Sequence, residues 1–367
     1  MTARTGRVPF ALATQADDAD IRRLLRENPM PGQITLTLER EPDYFADTGL
    51  PGTEKQTIIA NEGGRVVCAG SCATRERFVN GQPHRVGYLG GLRLDARVTG
   101  RFDILRRGYE FFRELQADNP ADFYFTSIAA DNAPARKFLE RGLPGMPAYE
   151  FIGEFVTALL PVKSLVPIRP GLETDNLNIN ELLECLDKHG RDYQFAACWS
   201  EKELSALQSL NLKAGNFRII RDDGRICACA ALWDQRTFKQ TVIRGYTPWL
   251  AMTRPAVNFA ASIIGTPRLP AVGSTLAHAF LSHFAVAPER MDVLPGLVTK
   301  LCAFAAERRI EYLTLGYAAN DPRLAMIRTR FKRREYRSRI YIVRWPNMGG
   351  AAGQLDHRVL QPELALL

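Results

Sequence analysis

The residues that follow Leu94 could bind an anion. A strand predicted at 88–94 runs directly into Asp95, and a helix is predicted at 99–115. The first turn of a helix presents unpaired backbone N–H groups at the positive end of the helix dipole. A phosphate group binds readily at such a helix start. The sequence therefore predicts an anion site just beyond the end of this strand.

A second strand and helix follow in the same order. The strand is predicted at 123–128 and the helix at 132–141. Asn132 can cap the helix, Pro134 lies in the first turn where no N–H is needed, and Gly142 can end the helix. The two units together predict a strand–helix–strand–helix segment.

Four residues of the second unit resemble a known motif. Asn132, Ala135, Phe138 and Gly142 resemble the Asn-x-x-Ala-x-x-aromatic-x-x-x-Gly element of the GNAT superfamily of CoA-dependent acyltransferases. Residues 88–109 resemble the strand, pyrophosphate loop and helix that precede this element in that family. The order of the units is also that of the family.

The phosphate loop departs from the family pattern. The family prefers Gln or Arg, two residues, Gly, one residue, and then Gly or Ala. This chain has Arg97-Val98-Thr99-Gly100-Arg101-Phe102, so Phe102 stands in the last place. Moving the frame by two residues improves nothing, because Phe102 and Ile104 then replace both glycines.

The resemblance implies transfer of an acyl group from a CoA thioester, with acetyl-CoA as the expected co-substrate, to an amine. It places the pantetheine arm along Leu92-Arg93-Leu94, where backbone groups without a ladder partner would bond its amides. The loop would hold the diphosphate, and the second helix would bound the far side of the arm. The cofactor-binding residues expected from the resemblance are Leu92, Arg93, Leu94, Arg97, Thr99, Gly100, Arg101, Phe102, Asn132, Ala135 and Phe138.

Direct attack by an amine needs a proton acceptor and a proton for the leaving thiolate. Glu76 and Asp95 are the candidate bases, although both are also typical surface carboxylates. Relatives often have Tyr where Phe138 stands, and Phe138 cannot donate a proton. Tyr88 and Tyr149 are the candidate replacements, and the sequence does not rank them.

The chain of 367 residues is long enough for two domains. The hairpin around Gly64 resembles the one around Gly224, and the strand at 123–128 resembles one at 312–315, followed by Asn320 and Pro322. This internal duplication predicts an α/β (α+β) chain of two tandem GNAT-like domains, each a mixed, mostly antiparallel sheet flanked by helices. The predicted ranges are 1–160 for the acyl-CoA-binding domain, 161–170 for a linker, 171–346 for a degenerate second domain and 347–367 for a C-terminal tail.

The second copy differs from the first in two places. Residues 287–292 replace the phosphate loop with a segment that has no glycine and two acidic residues, which would repel a diphosphate. Extra residues at 247–271 carry Trp249, Met252, Phe259 and Ile263 at a helix-like spacing. The second domain is therefore expected to shape the structure or the substrate site.

Composition is that of an ordinary globular protein, with 46% hydrophobic and 24% charged residues. No membrane span and no signal-peptide core is recognisable, and the seven cysteines form no C-x-x-C, which favours a reducing cytoplasm. His278 and His283 are five residues apart and do not share a helix face, so no metal site is predicted. The net charge of +8 suits an anionic partner without identifying it.

Three functions are compatible with these features. The first is an N-acyltransferase with its site in the first domain, and it is the one we favour. The second is a Fem-like aminoacyl-tRNA-dependent peptidyltransferase, for which the basic cluster at 328–339 would supply RNA contacts, although a solvated face is the simpler interpretation of that cluster. The third is a catalytically silent binding protein. The amine substrate is not predicted, because acceptor specificity in this family lies in variable segments, here 28–52 and 75–85.

Overall fold

The computed structural model describes residues 8–162, 177–345 and 354–367. Within these ranges the chain forms eight helices and fifteen strands. The strands are β1 (Phe10–Leu12), β2 (Ile34–Glu39), β3 (Thr53–Glu62), β4 (Arg65–Val79), β5 (Gln82–Leu94), β6 (Phe123–Ala129), β7 (Ala148–Pro161), β8 (Tyr193–Gln194), β9 (Phe217–Asp222), β10 (Arg225–Trp233), β11 (Gln240–Tyr246), β12 (His278–Val286), β13 (Tyr312–Ala318), β14 (Arg334–Arg344) and β15 (Val359–Leu360). The helices are α1 (Asp18–Glu27), α2 (Phe102–Leu115), α3 (Ala133–Leu139), α4 (Ile179–Gly190), α5 (Glu201–Ala206), α6 (Pro248–Ile263), α7 (Leu294–Glu307) and α8 (Pro322–Arg330).

One sheet runs through both halves of the chain. Among the described residues it has eleven strands in the order β1-β3-β4-β5-β6-β14-β7-β13-β12-β10-β9. The last strand of each half pairs with a strand of the other half: β14 pairs with β6, and β7 pairs with β13. The two exchanged strands also pair with each other along their full length. The two halves are therefore joined by continuous backbone hydrogen bonding.

A second connection crosses between the halves. Strand β11, which follows β10, forms a two-stranded antiparallel ribbon with β2 of the first half. Phe125 and Phe195 stack with their ring centroids 4.9 Å apart, and the buried ion pair of Arg75 and Glu203 joins β4 to α5. The largest apolar core lies under α7, where Leu297 and Leu301 are fully buried against the second-half strands.

The predicted fold class is confirmed: a mixed, mostly antiparallel sheet is flanked by helices, and the strand order of the first half repeats in the second. One predicted boundary is wrong. Helix α2 begins at Phe102, because a separate 3₁₀ turn occupies Ala96–Val98. The last strand begins at Arg334, so that part of the basic cluster belongs to β14.

The predicted domain ranges remain predictions. Most of the predicted linker and the first part of the predicted tail, residues 347–353, lie outside the described residues. Residues 354–367 fold back onto the sheet, where β15 pairs with β8. No helix in the described ranges is both long enough and apolar enough to cross a membrane.

Candidate active site

The first half contains an opening between two parallel strands. Strands β5 and β6 pair only from Val86 to Leu89, opposite Phe123 to Thr126. Beyond this point β5 continues to Leu94 without a partner on its β6 side among the described residues. The Thr126 hydroxyl donates to the Leu89 carbonyl at 2.7 Å and marks the last link between the strands. The backbone beyond Leu89 is therefore available to an extended ligand.

A bulge lies on β5 where the opening starts. The register with β4 shifts between Ala69 and Ser71, so that one residue of β4 faces two of β5. Gly91 has φ +66°, a left-handed conformation that favours glycine. Gly90 is needed for a different reason: a Cβ there would lie 2.7 Å from the Tyr88 ring. The Gly90-Gly91 pair thus bends the strand and leaves room for that ring.

The Tyr88 ring lies at the base of the opening. It packs beside Phe125 of β6, with 5.1 Å between ring centroids. Burial raises the pKa of the Tyr88 phenol to about 12, and the nearby charges of Arg77, Arg93 and Arg40 only partly oppose this. The phenol therefore keeps its proton at neutral pH and can donate it.

Asp95 is held by arginines and is a poor proton acceptor. It is 4% exposed and accepts hydrogen bonds from the Arg97 backbone N–H at 3.0 Å and from the Arg97 and Arg65 side chains. The Arg97 hydrogen bonds hold the pKa of this carboxyl far below its usual range. Asp95 caps the Ala96–Val98 turn. This cap fixes the start of the loop, and the carboxylate stays ionised.

The two helices predicted to bound a ligand meet across the opening. Phe102 at the start of α2 stacks on Phe138 of α3, with 4.8 Å between centroids, and Phe102 is still 57% exposed. Asn132 caps α3 by accepting the Ala135 N–H at 3.2 Å. Gly100 lies in the loop at φ +86°, with open space where a Cβ would be.

Other predicted residues lie along the same segment. Leu92 is 38% exposed and its carbonyl accepts a hydrogen bond from the Arg93 side chain, whereas Leu94 pairs with Cys68 of β4. The Thr99 hydroxyl donates to the Asp95 carbonyl at 3.5 Å. Arg101 forms ion pairs with Glu62 and Asp103. The predicted cofactor-binding residues thus lie along one opening, with Arg97 and Arg101 paired to carboxylates.

The two other candidate catalytic residues lie on β4 and β7. Glu76 faces solvent on β4 opposite Arg85, about 16 Å along the strand from Gly90 at ~3.3 Å per residue. The Tyr149 hydroxyl hydrogen-bonds to that of Tyr109, and burial raises its pKa well above the ordinary value.

A cluster of charges near Tyr88 was missed by the sequence analysis. Asp47 forms ion pairs with Arg40 and Lys55, and these two cations hold its pKa below the usual range despite burial. Lys239 of the second half is half-buried beside them. Burial, followed by the charge of Arg40, lowers the pKa of Lys239 to about 7. Charged residues far apart in sequence give no local signal of such a cluster.

The second half contains an equivalent opening. Strands β12 and β13 pair only from His278 to Phe280, and β12 carries a bulge at His283, which has φ +49°. His283 thus takes the place of Gly91, and Phe280 takes the place of Tyr88 without a hydroxyl group. The short β12–β13 pairing and the bulge on β12 therefore match the short β5–β6 pairing and the bulge on β5.

The C-terminal segment fills this second opening. The Glu363 carboxylate accepts the His283 backbone N–H at 3.1 Å, and the Gln361 side chain donates to the Phe284 carbonyl at 3.3 Å. Leu364 packs so closely on Gly316 that a Cβ there would lie 2.8 Å away. The strand edge that faces the opening in the first half is therefore covered by the chain itself in the second.

Two other features lie apart from this site. A cavity of about 660 Å³ lies between β7, β14 and residues 354–360, and its lining shares no residue with the β5–β6 opening.

The basic cluster at 328–339 is largely compensated by ion pairs: Arg328 and Arg333 pair with Glu335, Arg337 with Glu154 and Arg339 with Glu140. These pairs favour a solvated face over an RNA-binding surface. The residues described include no group of His, Cys, Asp or Glu side chains able to hold a metal ion.

Comparisons with known proteins bear on the fold. No protein-family model matches the sequence, and no curated protein matches it either. Solved structures do match over nearly the whole chain. A GCN5-related N-acetyltransferase from Sphaerobacter thermophilus has a TM-score of 0.56 at 14% identity, with 95% of this chain and 99% of that chain covered.

Two further structures are similar. Saccharomyces cerevisiae N-myristoyltransferase with bound myristoyl-CoA has a TM-score of 0.58 at 10% identity, with 97% of this chain and 90% of that chain covered. A tandem GNAT protein from the clavulanic acid biosynthesis pathway has a TM-score of 0.52 at 11% identity, with 93% and 100% covered. At these identities the similarity shows a shared fold, which is the tandem GNAT fold predicted from the sequence.

Proposed function

We propose that the chain is an N-acyltransferase that binds an acyl-CoA in the β5–β6 opening and transfers the acyl group to an amine. The observation that carries the proposal is the contrast between the two openings. In the first, no described strand pairs with β5 on the β6 side beyond Leu89, whereas the second is filled by residues around Glu363. The structural neighbours that are N-acyltransferases support the same reaction class.

The residues of the first opening fit such a ligand. Open strand backbone suits the amides of a pantetheine arm. The start of α2, with Gly100 free of close neighbours, suits a diphosphate. Phe102 stands where the resemblance leads one to expect Gly or Ala, and its stack on Phe138 forms an apolar wall beside the loop. The exposed ring of Phe102 suits contact with the pantetheine arm or the adenine of the cofactor. Arg97 and Arg101 lie beside the loop and can turn from their carboxylate partners to the phosphates.

The base of the opening favours a short acyl group, and we propose acetyl-CoA as the donor. Tyr88 and Phe125 pack on each other at the base of the opening, and this contact would limit the room there for a long acyl chain. The donor supplies the activated acyl carbonyl as a thioester.

The chain's own groups would move two protons. In direct attack the amine nitrogen bonds to the carbonyl carbon, the carbon–sulfur bond breaks, and the thiolate leaves. Tyr88 holds a proton at neutral pH, would donate it to the sulfur as the carbon–sulfur bond breaks, and would regain a proton from solvent after CoA leaves. Lys239, whose pKa burial lowers to about 7 and whose Nζ lies 2.6 Å from the Leu367 carbonyl, would accept the proton from the amine.

Ligand binding is tested by thermal unfolding with and without excess acetyl-CoA. At ~100 times the dissociation constant a ligand adds about 2.7 kcal/mol, which shifts the midpoint by several degrees. Gly100→Glu places a carboxylate against the diphosphate and should abolish the shift. Gly224→Glu is the matched control, because Gly224 also has positive φ and open space around it. Absence of a shift in the unmodified protein would contradict the proposal, and a larger shift with myristoyl-CoA would contradict the choice of acetyl.

The proton acceptor is tested by the pH dependence of the rate. Because the pKa of Lys239 is lowered, its neutral form increases as pH rises through about 7, so kcat should rise over the same interval. Lys239→Arg keeps the charge but never becomes neutral, and we expect kcat to fall roughly 10²-fold or more with loss of the rise near pH 7. Lys55→Arg is the control, because Lys55 is already paired with Asp47. CoA release with a panel of amines is the measurement. An unchanged profile in Lys239→Arg would exclude this role.

A further inference from the structure

Helix α6 presents an apolar face that no described residue covers. Trp249, Met252, Phe259 and Ile263 are between 70% and 79% exposed, although all four are large and apolar. Ala256, between them, is exposed as well. Isolated exposed apolar residues are common, but a continuous row of them marks an interaction surface.

The opposite face of α6 is fixed to the protein. Asn258 exchanges two hydrogen bonds with the Leu269 backbone, at 3.1 Å and 2.7 Å. The Arg254 guanidinium donates to the same carbonyl at 3.2 Å, and Ala261 is buried. The orientation of the helix is therefore set by its contacts with neighbouring residues, and the apolar row faces away from the part of the protein that the structure describes.

The spacing of the row identifies the kind of partner. Positions 249, 252, 256, 259 and 263 alternate steps of three and four residues, which is the spacing of an a/d seam, and Val257 and Ile264 widen the exposed apolar surface beside it. Such a seam packs against another helix with the same pattern. A second copy of this chain supplies one.

The row is also complementary to itself. A two-fold axis at Ala256 would place small residues where the helices cross, and each Trp249 would lie against Ile263 of the partner subunit. Arg254 is the only charged residue of α6 and is turned toward Leu269, so no like charges would meet across the axis. A membrane-surface helix, by contrast, carries Lys and Arg along its polar face.

The exposed area approaches that of a standard dimer interface. From the exposed fractions, and with ~150–250 Å² for each aromatic side chain, the row with Ile264 presents on the order of 700 Å². Standard interfaces bury about 800 Å² per partner. We propose that the face formed by Trp249, Met252, Ala256, Phe259 and Ile263 is the isologous interface of a homodimer.

Sedimentation equilibrium of the full chain over a concentration series tests this proposal. We expect twice the 41.1 kDa chain mass for the unmodified protein. Phe259→Glu buries a charge at the seam and should weaken the dimer roughly 30-fold or more. Ala251→Glu adds the same charge on the exposed flank of the same helix and should leave the dimer intact. Unchanged circular dichroism in both variants shows that any dissociation is not unfolding.

Cross-linking gives a second measurement. A short bis-maleimide should join two chains through Ala256→Cys but not through Ala251→Cys, because only position 256 lies on the axis. A monomer at every concentration would overturn the proposal, as would a dimer that Phe259→Glu does not weaken. Binding of the monomer to neutral phosphatidylcholine vesicles through Phe259 would also overturn it and assign the face to a lipid surface.

Discussion

Each half of the chain, produced without the other, is expected to stay unfolded. The physical reason is the strand exchange: without β14, strand β6 ends as an open edge, and without β7, strand β13 does the same. The first half alone would also expose Phe125, which is fully buried against Phe195. Residues 1–168 and 169–367, each expressed separately, should therefore give no cooperative unfolding transition.

The same two fragments produced together in one cell provide the control. They should associate, co-purify as a one-to-one complex and unfold in a single cooperative transition, because every strand then has its partner. Heteronuclear NMR of residues 1–168 alone is the sharpest contrary test. Dispersed, folded spectra would show that β7 can occupy the place of β14 beside β6, and that the exchange is not required for folding.

Local features of the site could be predicted from the sequence. Asn132 caps α3 as its position before a proline-containing first turn indicates. The hairpin at Gly64 and the strand–helix order also follow from short-range signals. Such signals act within a few residues, so a single sequence is enough to recognise them.

Long-range features could not be predicted in the same way. Exchange of β7 and β14 leaves the sequence of each strand unchanged and alters only which half it pairs with. Asp95 was a candidate base because it follows a strand end, but the arginines that stabilise its charge include Arg23 on α1 and Arg65 on β4. Lys239 has its pKa lowered by burial and by residues some two hundred positions away. A sequence pattern contains none of this information.

The second copy shows how a repeat can mislead. Asn320 was matched with Asn132, yet the residue that caps α8 is Asp321, which accepts the Arg323 backbone N–H at 2.8 Å. The capping function is retained, while its position and charge differ. The change introduces a negative charge into a buried environment, which needs a buried cation.

Asp321→Ala should be among the most destabilising single substitutions in the chain. Asp321 and Arg323 are 0% and 1% exposed at their side chains and form a bidentate ion pair with contacts of 2.6–3.0 Å. Removing the carboxylate leaves the Arg323 guanidinium buried against Tyr193 and Tyr317 without a counter-ion. Breaking a buried pair in this way costs about 3–5 kcal/mol, and loss of the cap adds ~1 kcal/mol.

Denaturant unfolding measures this cost as a lower midpoint. Asp187→Ala is the matched control: its ion pair with Arg191 is about half exposed on both sides, so the change should stay near 0–1 kcal/mol. The double variant Asp321→Asn with Arg323→Met removes both charges and should recover much of the stability lost in Asp321→Ala. If the double variant were as unstable as the single one, the cost would come from lost packing around the Arg323 side chain rather than from an uncompensated charge.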